Sequence, residues 1–506
     1  MKIVFLSIFL LFCRNLNAQV SYSKLSLPYG KYAVGFKHYI RYDSTRTYER
    51  LSDWNKKAIA RPIPISLWFP AKKQIQNNQM TIEDYMVILK EEEEWEVLPD
   101  ERILDWFYYS NSDENKSHLK EKVKAVKNTK PFQNKFPTVV YSPSYQASSI
   151  ENFALCEFLA SHGFVVISSP SRGTDNRFLD GGTTRDIETQ ARDIQYLINE
   201  IENLPFTDNN NLAVIGFSFG GISNVLAQMM DKRIKAIICL DGSIKYQYQK
   251  IQASPYFNLF NVDVPFLFML QKDIPIEVIK EDKIESTLNT KFEFYDSVKY
   301  SDAYYFKFNN MTHSYFSSMG VLFQERDIRQ DKSDTEIMDS YKWVNIYTLN
   351  FLNAFLNNQH RGKAFLENQP AVNGVVGEII LKKSKKSLTK PFSFEDFNLV
   401  AIKQNYNNLD NLYNTIKKEQ PTFKVDEWKA NTLGLTLLFK KRIQEGINVL
   451  MLNTNLFPES ANAYDSLGEG YLIAGDKKNA AESFKNSLKF DPQNKNAINR
   501  LKQIGK

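Results

Sequence analysis

One short segment constrains this chain more than any other: Gly216-Phe217-Ser218-Phe219-Gly220. The apolar run Leu212-Ala213-Val214-Ile215 precedes it, and a helix-like stretch, Ile222 to Met230, follows it. A strand that turns sharply into a helix over five residues needs small residues where the two elements cross. Glycines two positions to either side of the serine meet that need. Such a turn lifts the serine hydroxyl clear of the backbone. It also leaves the first N–H groups of the helix without partners, facing that hydroxyl. A strand of this kind belongs in a sheet that helices cover on both faces.

The flanking sequence supplies that sheet. Pro137 to Ser142, Phe164 to Ser168, Ile234 to Leu240, Pro265 to Leu270 and Ala303 to Phe308 all read as short apolar strands. Helical patterns separate them. Phe153, Leu155, Cys156 and Leu159 share one face of a helix that ends at Ser161-His162-Gly163. Apolar residues at 187, 191, 194, 197, 198 and 201 make Asp186 to Ile201 amphipathic. Tyr341 to Leu356 reads as a closing helix, and Gly30 to Arg41 with Ile63 to Phe69 as leading antiparallel strands. The expected architecture is α/β: an α/β-hydrolase fold over residues 25–358, with a mainly parallel sheet flanked by helices. Residues 80–130 form a polar, partly helical insertion. Its acidic run Glu91 to Glu94 reads as a solvated helix face, with a lid over the active site as the second reading.

A serine needs a base to act as a nucleophile at neutral pH. The chain has five histidines. In this fold the order along the chain is serine, acid, histidine, which leaves His313 and His360. His360 lies beyond the closing helix. His313 follows the run ending at Phe308, in the loop where the base belongs. Two aspartates stand at strand ends and could orient it: Asp241 after Leu240, and Asp273 after Leu270. Position in the general fold favours Asp273. The Phe219 N–H is the expected oxyanion donor at the elbow, between Gly216 and Gly220.

Several segments together resemble the platelet-activating-factor acetylhydrolase family over roughly residues 25 to 358. They are Tyr42-Asp43-Ser44, Leu67-Trp68-Phe69-Pro70-Ala71, Ser161-His162-Gly163-Phe164-Val165-Val166, the elbow through Gly221, Leu240-Asp241-Gly242 and the late His313. The resemblance implies an acid 23 residues after the serine, which is Asp241. It also implies a second oxyanion donor, the Tyr145 N–H. There the sequence departs from the family, with Pro143-Ser144 where His-Gly is usual. The implied activity is hydrolysis of short-acyl or phospholipid-type esters through an acyl-enzyme. The same triad would also serve a thioesterase, a peptidase or a lactone hydrolase. A reading of another class is a non-catalytic binding protein.

Outside this region the chain changes character. Residues 359–393, with Lys382-Lys383-Ser384-Lys385-Lys386, read as an exposed linker. Residues 394–506 read as a small all-α domain with tetratricopeptide-like repeats. Leu433-Gly434, Gly446, Leu450 and Pro458 recur 34 residues later as Leu467-Gly468, Ala480, Phe484 and Pro492. These repeats are the expected surface for a protein partner. At the other end, residues 1–18 read as a signal peptide. Lys2 precedes the apolar run Ile3 to Phe12, and cleavage is expected after Ala18, so export to a periplasm or the exterior is expected. No later run approaches eighteen apolar residues, so no transmembrane span is expected. The net charge of +6 is mild and interspersed, which argues against nucleic acid. Cys156 and Cys239 read as buried free thiols. The absence of metal-type spacing calls for no metal and no cofactor.

Overall fold

The computed structural model describes residues 20–73, 79–95, 99–107, 109–281, 285–325 and 330–505. The expected signal peptide, residues 1–18, lies outside the described residues. The chain divides into two compact units, one ending at Leu388 and the other beginning at Thr389.

In the first unit the strands, in chain order, are β1 (Ala33–Tyr48), β2 (Ile59–Ala71), β3 (Gln79–Thr81), β4 (Lys122–Lys127), β5 (Phe136–Ser142), β6 (Val165–Ser168), β7 (Thr207–Phe217), β8 (Ile234–Leu240), β9 (Phe266–Leu270), β10 (Ala303–Phe308) and β11 (Ile380–Lys385). They join one sheet in the order β11-β10-β9-β8-β7-β5-β6-β2-β1-β4-β3. The six strands from β5 to β10 pair in parallel. Their apolar runs are nearly continuous because both faces are covered. Val139, Ile215, Ile238 and Met269 pack under helices Phe153–Ser161 and Asp334–Phe355. Val140, Val214, Ile237 and Phe268 pack on the other face, under helices Thr184–Glu202 and Phe219–Met230. Cys156 and Cys239 are free and buried in these layers.

The leading strands β1 and β2 form the expected antiparallel pair, in register from Ala33 opposite Ala71 to Asp43 opposite Arg61. Two boundaries differ from expectation. The closing helix starts at Asp334, seven residues early, because Ser333 and Glu336 form a capping box ahead of the apolar pattern. Residues 359–388 are not a linker. They hold a helix, His360–Glu367, and then β11, which pairs antiparallel with β10 from Lys385 opposite Ala303 to Ile380 opposite Phe308. Lys382, Lys383 and Lys385 lie on this edge strand, where charge deters further strand pairing.

The second unit is all helix: Phe394–Lys403, Leu409–Glu419, Glu427–Phe439, Ile443–Leu456, Ala461–Ile473, Lys477–Phe490 and Lys495–Ile504. Gly434 lies against Leu450, and Gly468 against Phe484, so the 34-residue offset read from the sequence relates two helix pairs. The segment from Phe394 to Lys418 contributes two helices, whose Phe397, Ala401, Leu409 and Ile416 share an apolar cluster with Ala430 and Leu437.

A buried ionic cluster joins the leading hairpin to the helix Thr184–Glu202. Arg61 on β2 donates to Asp193 at 3.0 and 2.7 Å, and Arg46 on β1 donates to the same carboxylate at 2.6 Å. Burial pushes the Asp193 carboxyl up, but the two guanidinium groups outweigh it and hold it below its ordinary value of 3.8. A carboxyl depressed in this way contributes stability above its unfolded pKa, and the contribution fades as pH falls below about 4. Asp193→Ala strands Arg61 in the interior. It should lower unfolding free energy by about 3–5 kcal/mol, read as a lower urea midpoint at pH 7.

Candidate active site

The turn between β7 and the next helix contains one residue, Ser218, at φ +50° and ψ −115°. That backbone region is costly for any residue with a side chain, by about 1–3 kcal/mol. Three hydrogen bonds hold it: Ser218 N–H to Leu240 O at 3.1 Å, and Gly221 N–H and Ser243 N–H to Ser218 O at 3.0 and 2.7 Å. Both flanking glycines are needed for close approach. A Cβ at 216 would lie 2.3 Å from the Gly220 carbonyl carbon, and one at 220 would lie 2.0 Å from Ser142 O. Gly220 therefore brings the loop after β5 directly against the elbow.

His313 opens a short helical turn five residues beyond the end of β10. Its Nε2 lies 2.9 Å from Ser218 Oγ, and its Nδ1 lies 2.5 Å from Asp241 Oδ2. Asp241 is fully buried at the end of β8, at φ +41°. Its Oδ1 accepts the Tyr246 hydroxyl at 2.9 Å and the Gln271 N–H at 3.2 Å. The carboxylate has no donor of its own, so Nδ1 carries the imidazole proton and Nε2 turns its lone pair to the serine. Burial pushes the His313 pKa down, but the hydrogen bond to Asp241 and the charges of Asp241 and Glu151 raise it above its ordinary 6.5. Asp273, the other candidate acid, does not meet the imidazole. It is half exposed and pairs with Lys307 at 2.8 Å. The remaining histidines lie elsewhere: His38 against Ser66, His118 against Glu121, His162 against Pro28 O, and His360 at a helix start.

The loop after β5 carries Tyr145, whose ring meets the Phe219 ring edge-on at 5.9 Å. Among the described residues, no protein acceptor takes the N–H of Tyr145 or that of Phe219. Many bonds hold the loop around them. Gln190 donates to Pro143 O at 3.1 Å, Ser142 Oγ bonds Asn224 at 2.7 Å, and Leu179 N–H bonds Gln146 at 3.0 Å.

Ser218 and His313 open into a cleft of about 540 Å³. Leu89, Trp95, Phe107 and Tyr109, all from the insertion, form one wall. This corrects the reading of Glu91 to Glu94 as a solvated face. Glu91 alone is exposed. Glu92 is buried and accepts the Ser149 N–H at 2.9 Å, Glu93 pairs with Arg177, and Glu94 accepts the Tyr48 hydroxyl at 2.7 Å. These carboxylates tie the insertion to the end of β1 and to the loops that carry Ser149 and Arg177. Sequence reasoning also missed Tyr246, Gln271 and Glu151, which have no motif. Their roles arise from contacts between distant segments. Among the described residues, no cluster of histidine, cysteine and acidic side chains could hold a metal ion.

Three comparisons with known proteins found similar chains. A family model described as PET hydrolase-like (PETase) matches residues 127–378, just under half of the chain. The chain is similar to Esterase FrsA of Enterobacter sp. (strain 638), with 28% identity over 114 residues. That match covers 22% of this chain and only 26% of the relative's length. A solved structure, the ferulic acid esterase from Streptomyces cinnamoneus, superposes with a TM-score of 0.51 at 15% identity. It covers 71% of this chain and 98% of that one. At that identity the likeness concerns the fold. The first unit has the α/β-hydrolase fold, and the second is an all-helical domain.

Proposed function

We propose that the first unit hydrolyses carboxylic esters through Ser218, His313 and Asp241. The observation that carries this reading is the unbroken chain from Asp241 Oδ2 through both ring nitrogens to Ser218 Oγ, at the floor of a cleft. His313 takes the Ser218 proton as the oxygen attacks the ester carbonyl. The developing oxyanion accepts the free N–H groups of Tyr145 and Phe219. Asp241 holds the imidazole tautomer and stabilises the imidazolium without taking its proton. His313 then protonates the leaving alcohol. Water, deprotonated by the same imidazole, releases the acid from the acyl-serine.

The substrate reading follows from the cleft and from the acetylhydrolase resemblance. A cleft of about 540 Å³ has the volume of a site for a drug-sized molecule, far more than an acetyl group fills. We assign a compact acyl group to the end at Ser218 and a larger, lipid-like alcohol to the apolar wall of Leu89, Trp95, Phe107 and Met319. Export, with cleavage near Ala18, and a protein partner for the 34-residue helix pairs complete the proposal. The N-terminal sequence of protein secreted by the native host tests export.

A fluorophosphonate probe should label Ser218, and Ser218→Ala should abolish both labelling and ester turnover. Absence of labelling in folded protein would sink the reading. On p-nitrophenyl esters of graded length, kcat/KM should be highest for short acyl chains. Asp241→Asn should lower kcat by about 10⁴-fold, while Asp273→Asn leaves it unchanged; the reverse pattern would move the acid to Asp273. His313 acts as a base only when neutral, so kcat/KM should rise with pH through a midpoint above 6.5. Loss of the Asp241 charge should shift that midpoint down.

A further inference from the structure

One carboxyl group in the cleft takes no part in the proton transfers above. Glu151 lies just ahead of the helix Phe153–Ser161 and lines the cleft with Ser218 and His313. Its Oε2 accepts the Ser144 N–H at 2.9 Å and the Tyr141 hydroxyl at 3.3 Å, and its Oε1 accepts the Ser144 hydroxyl. Its main-chain oxygen accepts the Met319 N–H at 3.2 Å and the Ser318 hydroxyl at 3.3 Å. The next residue extends the grip: Asn152 Oδ1 accepts the Ser318 N–H at 3.0 Å, and its Nδ2 donates to Phe316 O at 2.9 Å. Two adjacent residues thus clip the loop that carries Tyr145 to the segment that carries His313.

We infer that Glu151, as a carboxylate, is a positioning residue that orients the Ser144–Tyr145 peptide so that the Tyr145 N–H meets the oxyanion. The inference rests on the catalytic reading of Ser218 given above. Ser144 presents two donors, its N–H and its hydroxyl, which reach different oxygens of Glu151, and a carboxylate accepts at both. Both bonds fix residue 144, and the next N–H along the chain is that of Tyr145. Ser144 itself is the residue at which the loop departs from the usual His-Gly, and Glu151 is what holds it.

The titratable groups facing this carboxyl are Tyr141 on β5, Tyr109 from the insertion and His313 from the loop after β10. Dehydration in the cleft pushes the Glu151 carboxyl up to about 7, against the bonds from Ser144. Its negative charge in turn helps to raise His313.

Glu151→Gln in the full chain tests the role. The amide keeps the size but puts a donating NH2 where one of the two oxygens accepts from Ser144. On p-nitrophenyl acetate, kcat should fall about 10- to 100-fold, less than the loss of a whole oxyanion donor. KM should stay within about twofold, as expected for a contact felt only in the transition state. Affinity for a trifluoromethyl ketone, which forms the tetrahedral adduct, should drop by the same factor as kcat/KM. The acid limb of the pH profile should move to lower pH, because His313 loses a negative neighbour. Ser144→Ala removes only the hydroxyl contact and should show a smaller loss of the same kind. It decides the matter if Glu151→Gln does not fold. Unchanged kcat and ketone affinity, or a loss confined to KM, would overturn the inference. Wild-type protein that neither labels nor turns over ester fails at Ser218 instead, and is told apart by that result.

Discussion

Gly220 and Ser142 meet at a distance that leaves no room for one extra carbon atom, and the site is built outward from that contact. It fixes where the β7 turn lies against the loop after β5, and so where the helix N-terminus lies against Tyr145. The turn stores strain at Ser218, whose φ is +50°. Strain of about 1–3 kcal/mol persists only where the surroundings over-determine the backbone. Here they do, through bonds to Leu240, Gly221 and Ser243 and through a parallel sheet that is buried on both faces.

Several carboxylates lie inside the fold. Asp241 is wholly enclosed, yet both oxygens are satisfied by Tyr246, Gln271 and His313. Asp193 is enclosed between two arginines, and Glu92 among serine donors. Each buried carboxylate joins segments far apart in the chain. An acidic run that spacing alone assigns to solvent becomes the fastening of the cleft wall, because three of its four acids meet different partners once the chain is folded.

The pairing of Ser218 with His313 was legible because the sequence offers few histidines in the right place. Five histidines, a fixed order and one elbow reduce the base to His313. The acid was less legible. Asp241 and Asp273 both end strands, and the choice depends on which strand end faces the imidazole. In the fold, Lys307 on β10 pairs with Asp273, while the positive φ at Asp241 turns its carboxyl under the histidine. Residues 359–388 were misread because a basic, apolar-poor stretch looks like linker, and an edge strand is the one place in a sheet where such a stretch is stable.

By itself, the sequence determined the layered α/β frame, the elbow, the histidine that meets it and the 34-residue periodicity of the tail. Each is written in local spacing, where apolar period and glycine position act over a few residues. Only the tertiary structure decided which aspartate meets His313, which side chains line the cleft and which donors meet Glu151. Each of those depends on contacts between segments dozens of residues apart. A carboxylate gains its meaning from the donors that the fold brings to it, and no local pattern records them.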